Sequence, residues 1–517
     1  MRFAELAAAT NYSFLEGASH PHEMVATALA LKHNGIGIAD RNTVAGVVRA
    51  HVALREAVEA LGRPIDFKLI FGSRLVFSDS TPDIIVYPTT RAGWGRLTRL
   101  LTTGNLRANK GHCTLYFEDL VGVLADMAVI VMGNDAAVLD RLIMINPGRT
   151  WLGATLLRNG RDRRRLVGLQ VLSAQTGVPL IAVNSPLYAM PGDHILQDVM
   201  TCIREKTTIS AAGRSLDANA ERHLKSVSEM ARLFADVPEA IAATQDLLAC
   251  IDFNLEQLRY EYPHEPVPSG WSPMGWLVHL TIGNARERYR HQPVPRKLLT
   301  LLRDEFKLIR QLNYAYYFLT VHDLVAFARA QDPPILCQGR GSAANSVVCF
   351  LLGITSVDPV TNNLLFSRFV SADRNEPPDI DVDFEHERRE EVIQYVYRRY
   401  GRHRAGIAAT IAHYRPRSAV REIGKVLGLS EDITNRLSST IWGSHASTMD
   451  EKRIEETGFD LENPDIARLN MLVGKLLGFP RHLGQHVGGF VLTQNRLDET
   501  VPIHNAAMPD RTFIEWD

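Results

Sequence analysis

Pro377-Pro378-Asp379-Ile380-Asp381-Val382-Asp383-Phe384 is the most informative stretch of this 517-residue chain. Strand side chains alternate with a period of two. Asp379, Asp381 and Asp383 therefore share one face, and Ile380, Val382 and Phe384 share the other, where they can anchor in a core. Same-face neighbours lie about 6–7 Å apart along a strand. Side-chain reach lets two such carboxylates hold a pair of Mg²⁺ ions about 3.5–4 Å apart. Without a cation they repel, and one holds its proton more tightly. A solvated edge strand blunted by charge would show the same alternation.

Upstream, a short apolar strand, Ile335–Gln338, runs into Gly339-Arg340-Gly341-Ser342-Ala343-Ala344-Asn345-Ser346 and then a helical run, Val347–Gly353. Small residues let a backbone approach a ligand, and a helix start points free N–H groups at an anion. The stretch suits a phosphate cradle, although no G-K-[ST] closes it as in a Walker loop. It equally suits a tight strand-to-helix turn. Downstream, Arg388 to Lys425 carries ten basic and three acidic residues, net +7. Arg398, Arg399, Arg402, Arg404, Arg415, Arg417 and Arg421 dominate, with His and Tyr interleaved. Phosphate-backbone binding and a solvated helix face are both open readings. Cradle, carboxylate strand and basic segment, in that order, are what a nucleotidyl-transfer site requires.

The rest of the chain sets the frame. Ile36–Ala39, Ile65–Phe71, Asp83–Tyr87, Ala128–Met132 and Leu180–Val183 read as strands alternating with helices, which argues for a parallel sheet or barrel. One helix has readable ends, with Pro21 at its first position, Glu23 in its first turn and Gly35 after its end. Asp40, just past a strand, is a candidate ligand. Residues 257–275, rich in Pro and aromatics, read as a boundary, and a long helical region follows, broken at Pro293 and Pro295. With 57 Lys+Arg against 58 Asp+Glu, any nucleic-acid role must rest on a local basic face. Five scattered cysteines without a C-x-x-C read as buried free thiols. No apolar run is long enough to span a membrane and no signal peptide is indicated, so a cytoplasmic location is expected.

Gly339-Arg340-Gly341-Ser342, Leu364-Leu365-Phe366-Ser367-Arg368-Phe369, Pro378 to Phe384 and Ala419-Val420-Arg421-Glu422-Ile423-Gly424-Lys425 together resemble the palm of bacterial C-family DNA polymerases, the α-subunit of DNA polymerase III. Asn11 to Gly17 is similar to the start of that family's PHP domain, a distorted βα barrel. Tyr12 to Pro21, Leu196 to Arg204 and Tyr414 to Arg421 resemble its error-prone, damage-inducible branch. The resemblance implies a multidomain α/β and α+β chain, with a PHP domain at 1–250, palm at 251–410, thumb at 411–481 and returning palm at 482–517. It implies Asp379 and Asp381 as catalytic ligands of two Mg²⁺ ions. Arg340, Gly341, Ser342 and Arg368 would bind nucleotide, and the seven arginines above would bind DNA. The activity implied is primer extension in translesion synthesis and DNA repair. Partners would be primed template DNA, deoxynucleoside triphosphates and, through C-terminal regions, a sliding clamp and mutasome proteins.

Two departures shape the expectation. Metal-binding relatives carry histidines along the first strand, where this chain has Glu5, Ala7 and Ala9. Arg41, Arg74 and Asn184-Ser185-Pro186-Leu187 stand at other ligand positions. No PHP metal and no phosphoesterase activity are therefore expected. The family's third catalytic carboxylate and its fingers would lie beyond Asp517, so the chain is expected to be inactive alone. A non-catalytic DNA- or partner-binding fragment is the rival reading, and a PHP-type phosphoesterase a weaker one. His20/His22 and His482/His486 have ligand-like spacing. However, Pro21 starts a helix, and Gly484, Gly488 and Gly489 argue for a loop.

Overall fold

The computed structural model describes residues 2–359, 361–362, 380–439, 458–460 and 462–517. They form two compact units, Met1–Arg259 with Ile407–Gly489 and Asp498–Asp517, and Tyr260–Gly406 with Phe490–Leu497.

In the first unit seven strands lie side by side in chain order: β1 (Ala4–Ala8), β2 (Gly35–Arg41), β3 (Lys68–Leu75), β4 (Ile84–Pro88), β5 (Met127–Val131), β6 (Thr150–Ala154) and β7 (Leu180–Ala182). The sheet curls. Beyond β7 the chain returns against β1, where Ala9 N–H donates to the Pro186 carbonyl at 3.1 Å. Ile85, Tyr87, Ala128 and Ile130 pack in one core, while Ile84, Val86, Val129 and Val131 pack on the opposite face with the helices. Burial on both faces explains why these strands read as unbroken apolar runs.

The expected parallel sheet is found between β1, β2 and β3 and between β5, β6 and β7, while β4 is antiparallel to both its neighbours. Residues 76–83 between β3 and β4 are too few for the dozen or so that a parallel crossover requires. The helix Pro21–Ala30 begins at Pro21, with Glu23 accepting from His20 N–H at 2.7 Å. It ends at Leu31, and Gly35 opens β2 instead of capping the helix. Of the cysteines only Cys202 and Cys349 are buried; the other three are half-buried.

The second unit stacks the helices Pro273–Arg288, Arg296–Leu312 and Ala315–Arg329 around Leu277, Leu302, Phe318 and Phe350. A two-stranded sheet, β8 (Cys337–Arg340) with β9 (Asp381–Phe384), and the helix Arg389–Tyr400 complete it.

A four-stranded sheet runs in the order β11 (Pro480–Leu492), β10 (Ala405–His413), β13 (Thr512–Ile514), β12 (Ile503–Asn505). Gly484, Gly488 and Gly489 thus lie in a strand, not the expected loop. Within the first unit, buried Glu515 fixes the final residues: its carboxylate accepts from Thr43 Oγ1 at 2.9 Å and Val44 N–H at 2.8 Å. The helices Pro416–Val426 and Pro464–Leu476 pack through Val420, Ile423, Leu469 and Leu472 onto Val199 and Met200.

Candidate functional site

β8 and β9 pair antiparallel, with Gly339 opposite Val382 and Arg340 opposite Asp381. Ile380 N–H donates to Tyr317 Oη at 2.9 Å, pinning the start of β9. Ile380 and Val382 join the core, while Asp381 and Asp383 stand exposed on the other face, as period-two spacing requires. Gly339 approaches the Ile354 carbonyl so closely that a Cβ there would lie 2.6 Å from its oxygen. Gly341 takes a φ of +63° and starts a 3₁₀ turn, Gly341–Asn345, that includes Ser342. A Cβ on Gly341 would lie 3.5 Å from Asp381 Oδ2, so the Asp381 carboxylate sits directly over the glycine. Arg340 Nε pairs with Asp383 Oδ2 at 3.0 Å, and both side chains are more than half exposed (66% and 58%), so the pair adds little stability. Arg340, Gly341 and Asp381 are thereby brought together. Asp379 and Arg368 lie outside the described residues.

The helix after the turn differs from the expected open cradle. A buried carboxylate, Glu305, already fills its N-terminus, accepting from Val347 N–H at 2.7 Å, Val348 N–H at 3.0 Å and Ser346 Oγ at 3.0 Å. Burial pushes the Glu305 carboxyl up to about 7 against the pull of those donors. The anion that a helix start attracts is here internal. Glu305 was legible in one respect: it shares the buried stripe Leu298, Leu302, Glu305, Ile309 of an amphipathic helix, where an acid needs a partner.

The seven arginines divide between the units. In the second, Arg404 is turned inward, forming two bonds to Glu265 and donating through Nε to the Thr493 carbonyl at 3.0 Å. Arg399 donates to the Glu265 carbonyl at 3.0 Å and lies 3.7 Å from Asp323. Arg402 stacks over Tyr397 at 4.3 Å, and Arg398 is exposed. In the first unit Arg415, Arg417 and Arg421 are exposed, the last two sharing a helix face with Lys425 opposite the apolar one.

The mouth of the curled sheet holds the residues expected to have replaced metal ligands. Glu5 is buried, accepting from Ala7 N–H at 2.9 Å and Asn184 N–H at 2.8 Å, and burial pushes it up to about 7. Asp40 is not a ligand in waiting. Its oxygens accept from Thr10 N–H (2.7 Å), Thr10 Oγ1 (2.8 Å), Ser13 N–H (3.1 Å) and Ser13 Oγ (2.7 Å). Among the described residues no three His, Cys, Asp or Glu side chains converge as a metal would need.

A family model described as the bacterial DNA polymerase III alpha NTPase domain matches residues 275–517, and a PHP domain model matches residues 5–147. Over its whole length the chain is 53% identical to an error-prone DNA polymerase of Rhodopseudomonas palustris strain BisB5, covering 46% of that protein. It is 54% identical to one of Bradyrhizobium sp. strain ORS 278, covering 44%. A Brucella abortus relative of the same name is 53% identical and 48% covered. The chain thus spans about half the length of the curated relatives it matches. Among the described residues no helix is long and apolar enough to cross a membrane.

Proposed function

The chain belongs to the bacterial DNA polymerase III alpha family, and on that premise we propose that β8, the Gly341 turn and β9 form the nucleotidyl-transfer site of an error-prone, DNA-directed DNA polymerase. The observation that carries this reading is the Asp381 carboxylate standing exposed over Gly341.

Asp381, with Asp379 two residues before it, would hold Mg²⁺. Asp381 offers an exposed carboxylate, the donor type that Mg²⁺ takes, and its same-face neighbour Asp383 is engaged by Arg340. When bound, such ions neutralise a triphosphate and make the primer 3′-hydroxyl a better nucleophile. The chain's own groups do the rest. Gly341, lacking a side chain, lets a phosphate oxygen approach the backbone. Arg340 turns from Asp383 to the triphosphate, a charge-assisted exchange between two anions. Ser342 and Arg368 complete the nucleotide contacts. Arg398, Arg402, Arg415, Arg417 and Arg421 hold the backbone of primed template DNA. Arg399 and Arg404 have internal partners, and their part in holding DNA is structural.

In this reading 1–250 is the PHP domain, 251–410 palm, 411–481 thumb and 482–517 returning palm. The protein works in the cytoplasm in translesion synthesis and repair, meeting a clamp and mutasome proteins through regions beyond these residues.

Binding of Mn²⁺ with a deoxynucleoside triphosphate, followed by paramagnetic resonance, tests the site on this chain. Asp381→Asn should weaken bound Mn²⁺ by about tenfold or more, the cost of one charged ligand. Undiminished Mn²⁺ binding in Asp381→Asn would remove the residue from the site.

A further inference from the structure

In the second unit Trp276 packs against the core, whereas Trp271 is 44% exposed. Trp271 rests on two other rings, with its centroid 5.3 Å from Trp276 and 4.8 Å from His279. His279 stacks on Trp276 at 5.2 Å with 19° between the planes. The backbone fixes the indole on both sides. Trp271 N–H donates to the Pro268 carbonyl at 3.2 Å, and the next residue, Ser272, caps the helix Pro273–Arg288 by accepting from Gly275 N–H at 3.1 Å. The three rings form one aromatic surface at the start of that helix. His279, Gly283 and Arg286 continue along one helix face at spacings of four and three, and all three are exposed. A Cβ on Gly283 would meet nothing within 4 Å, so the path from the rings to the guanidinium is open. Arg286 lies about 10 Å along the helix from His279. From Pro266 to Arg286 the sequence holds no acidic residue. Glu287, the first beyond it, is engaged by Arg290 at 3.1 Å.

An indole left in water gains by burying its face. Nucleic acid bases offer a flat partner for it, with a phosphate charge at every step. Rings followed by a cation along an acid-free stretch match both parts of such a strand. In a duplex the base faces are already stacked on one another, so the surface suits an unpaired strand. We propose that Trp271, backed by Trp276 and His279, binds single-stranded nucleic acid by stacking a base on the indole, with Arg286 on a neighbouring backbone phosphate. This surface uses none of the residues of the nucleotidyl-transfer site and needs no metal, so it is tested apart from Asp381.

The test is titration of the chain, without divalent metal, against a fluorescently labelled oligothymidylate of about twelve nucleotides, read by anisotropy. Trp271→Ala should weaken binding by about tenfold, the usual scale for one stacked base, and Trp271→Phe, which keeps a ring, by less. An abasic strand of equal length should bind the unsubstituted chain and Trp271→Ala alike. Arg286→Gln should flatten the log–log salt slope by about 0.7, the value for one phosphate of a single strand. A blunt duplex should bind equally to Trp271→Ala and the unsubstituted chain, which separates this surface from the arginines proposed to hold primed DNA. Undiminished oligothymidylate binding in Trp271→Ala would overturn the proposal, as would a loss of equal size with the abasic strand or the blunt duplex. Oligoglutamate that binds with the same dependence on Trp271 would overturn it in favour of an acidic peptide.

Discussion

Replacing Glu305 by alanine strands three buried donors at once: the amides of Val347 and Val348 and the hydroxyl of Ser346. An orphaned buried donor costs about 1–3 kcal/mol, so the second unit should lose about 3–5 kcal/mol, allowing for non-additive relaxation. Glu305→Gln keeps one acceptor oxygen and should lose about 1–3 kcal/mol. The pH dependence distinguishes this account from simple loss of packing. Because burial raises the carboxyl from 4.5 to about 7, the folded state holds the proton more tightly than the unfolded chain. This group's contribution is full below about 4.5 and is lost as pH rises towards about 7. Glu5, also raised to about 7, acts in the same window and the same direction. The difference between wild type and Glu305→Gln isolates the Glu305 part. Denaturant unfolding at pH 4.5, 6 and 8, with hydrogen exchange of residues 346–349 read by mass spectrometry, measures both effects. A Glu305→Ala chain within about 0.5 kcal/mol of wild type, with unchanged exchange at Val347 and Val348, would refute the capping argument.

Gly339→Ala places a Cβ 2.6 Å from the Ile354 carbonyl oxygen and should cost about 1–3 kcal/mol by overpacking, measured as a lower unfolding midpoint. Arg421→Gln should reduce the salt dependence of duplex DNA binding, flattening the log–log slope by about 0.9 for one lost phosphate contact. Arg404→Ala should instead lower the unfolding temperature and leave that slope unchanged, because its partners Glu265 and Thr493 are internal.

The strands that the sequence disclosed are those buried on both faces, such as Ile84–Pro88 and Met127–Val131, whose side chains are apolar on either side. β1 escaped the apolar count because Ala4–Ala8 is alanine-rich with a buried glutamate. β3 was displaced towards Ile65 because its far end carries Ser73 and Arg74, polar residues where the sheet opens into an arginine-lined cavity. Pattern reading fails at such sites because the local rule is set aside for them. The carboxylate strand was legible because its spacers are apolar and its face alternates. The partner of the following helix was not, since Glu305 lies 42 residues before Val347. Local pattern marks a buried acid without naming its donors. The basic segment likewise showed its charge but not that Arg404 faces inward.

The central claim is that Asp381 acts in phosphoryl transfer. It is tested most directly by template-directed primer extension with Mg²⁺, using a protein of the relatives' length that carries these residues, beside its Asp381→Asn variant. The account predicts that Asp381→Asn lowers extension by about a thousandfold or more, the scale of lost electrostatic stabilisation in the transition state, while primed-DNA binding changes by less than about twofold. Extension at the unsubstituted rate in Asp381→Asn would contradict it.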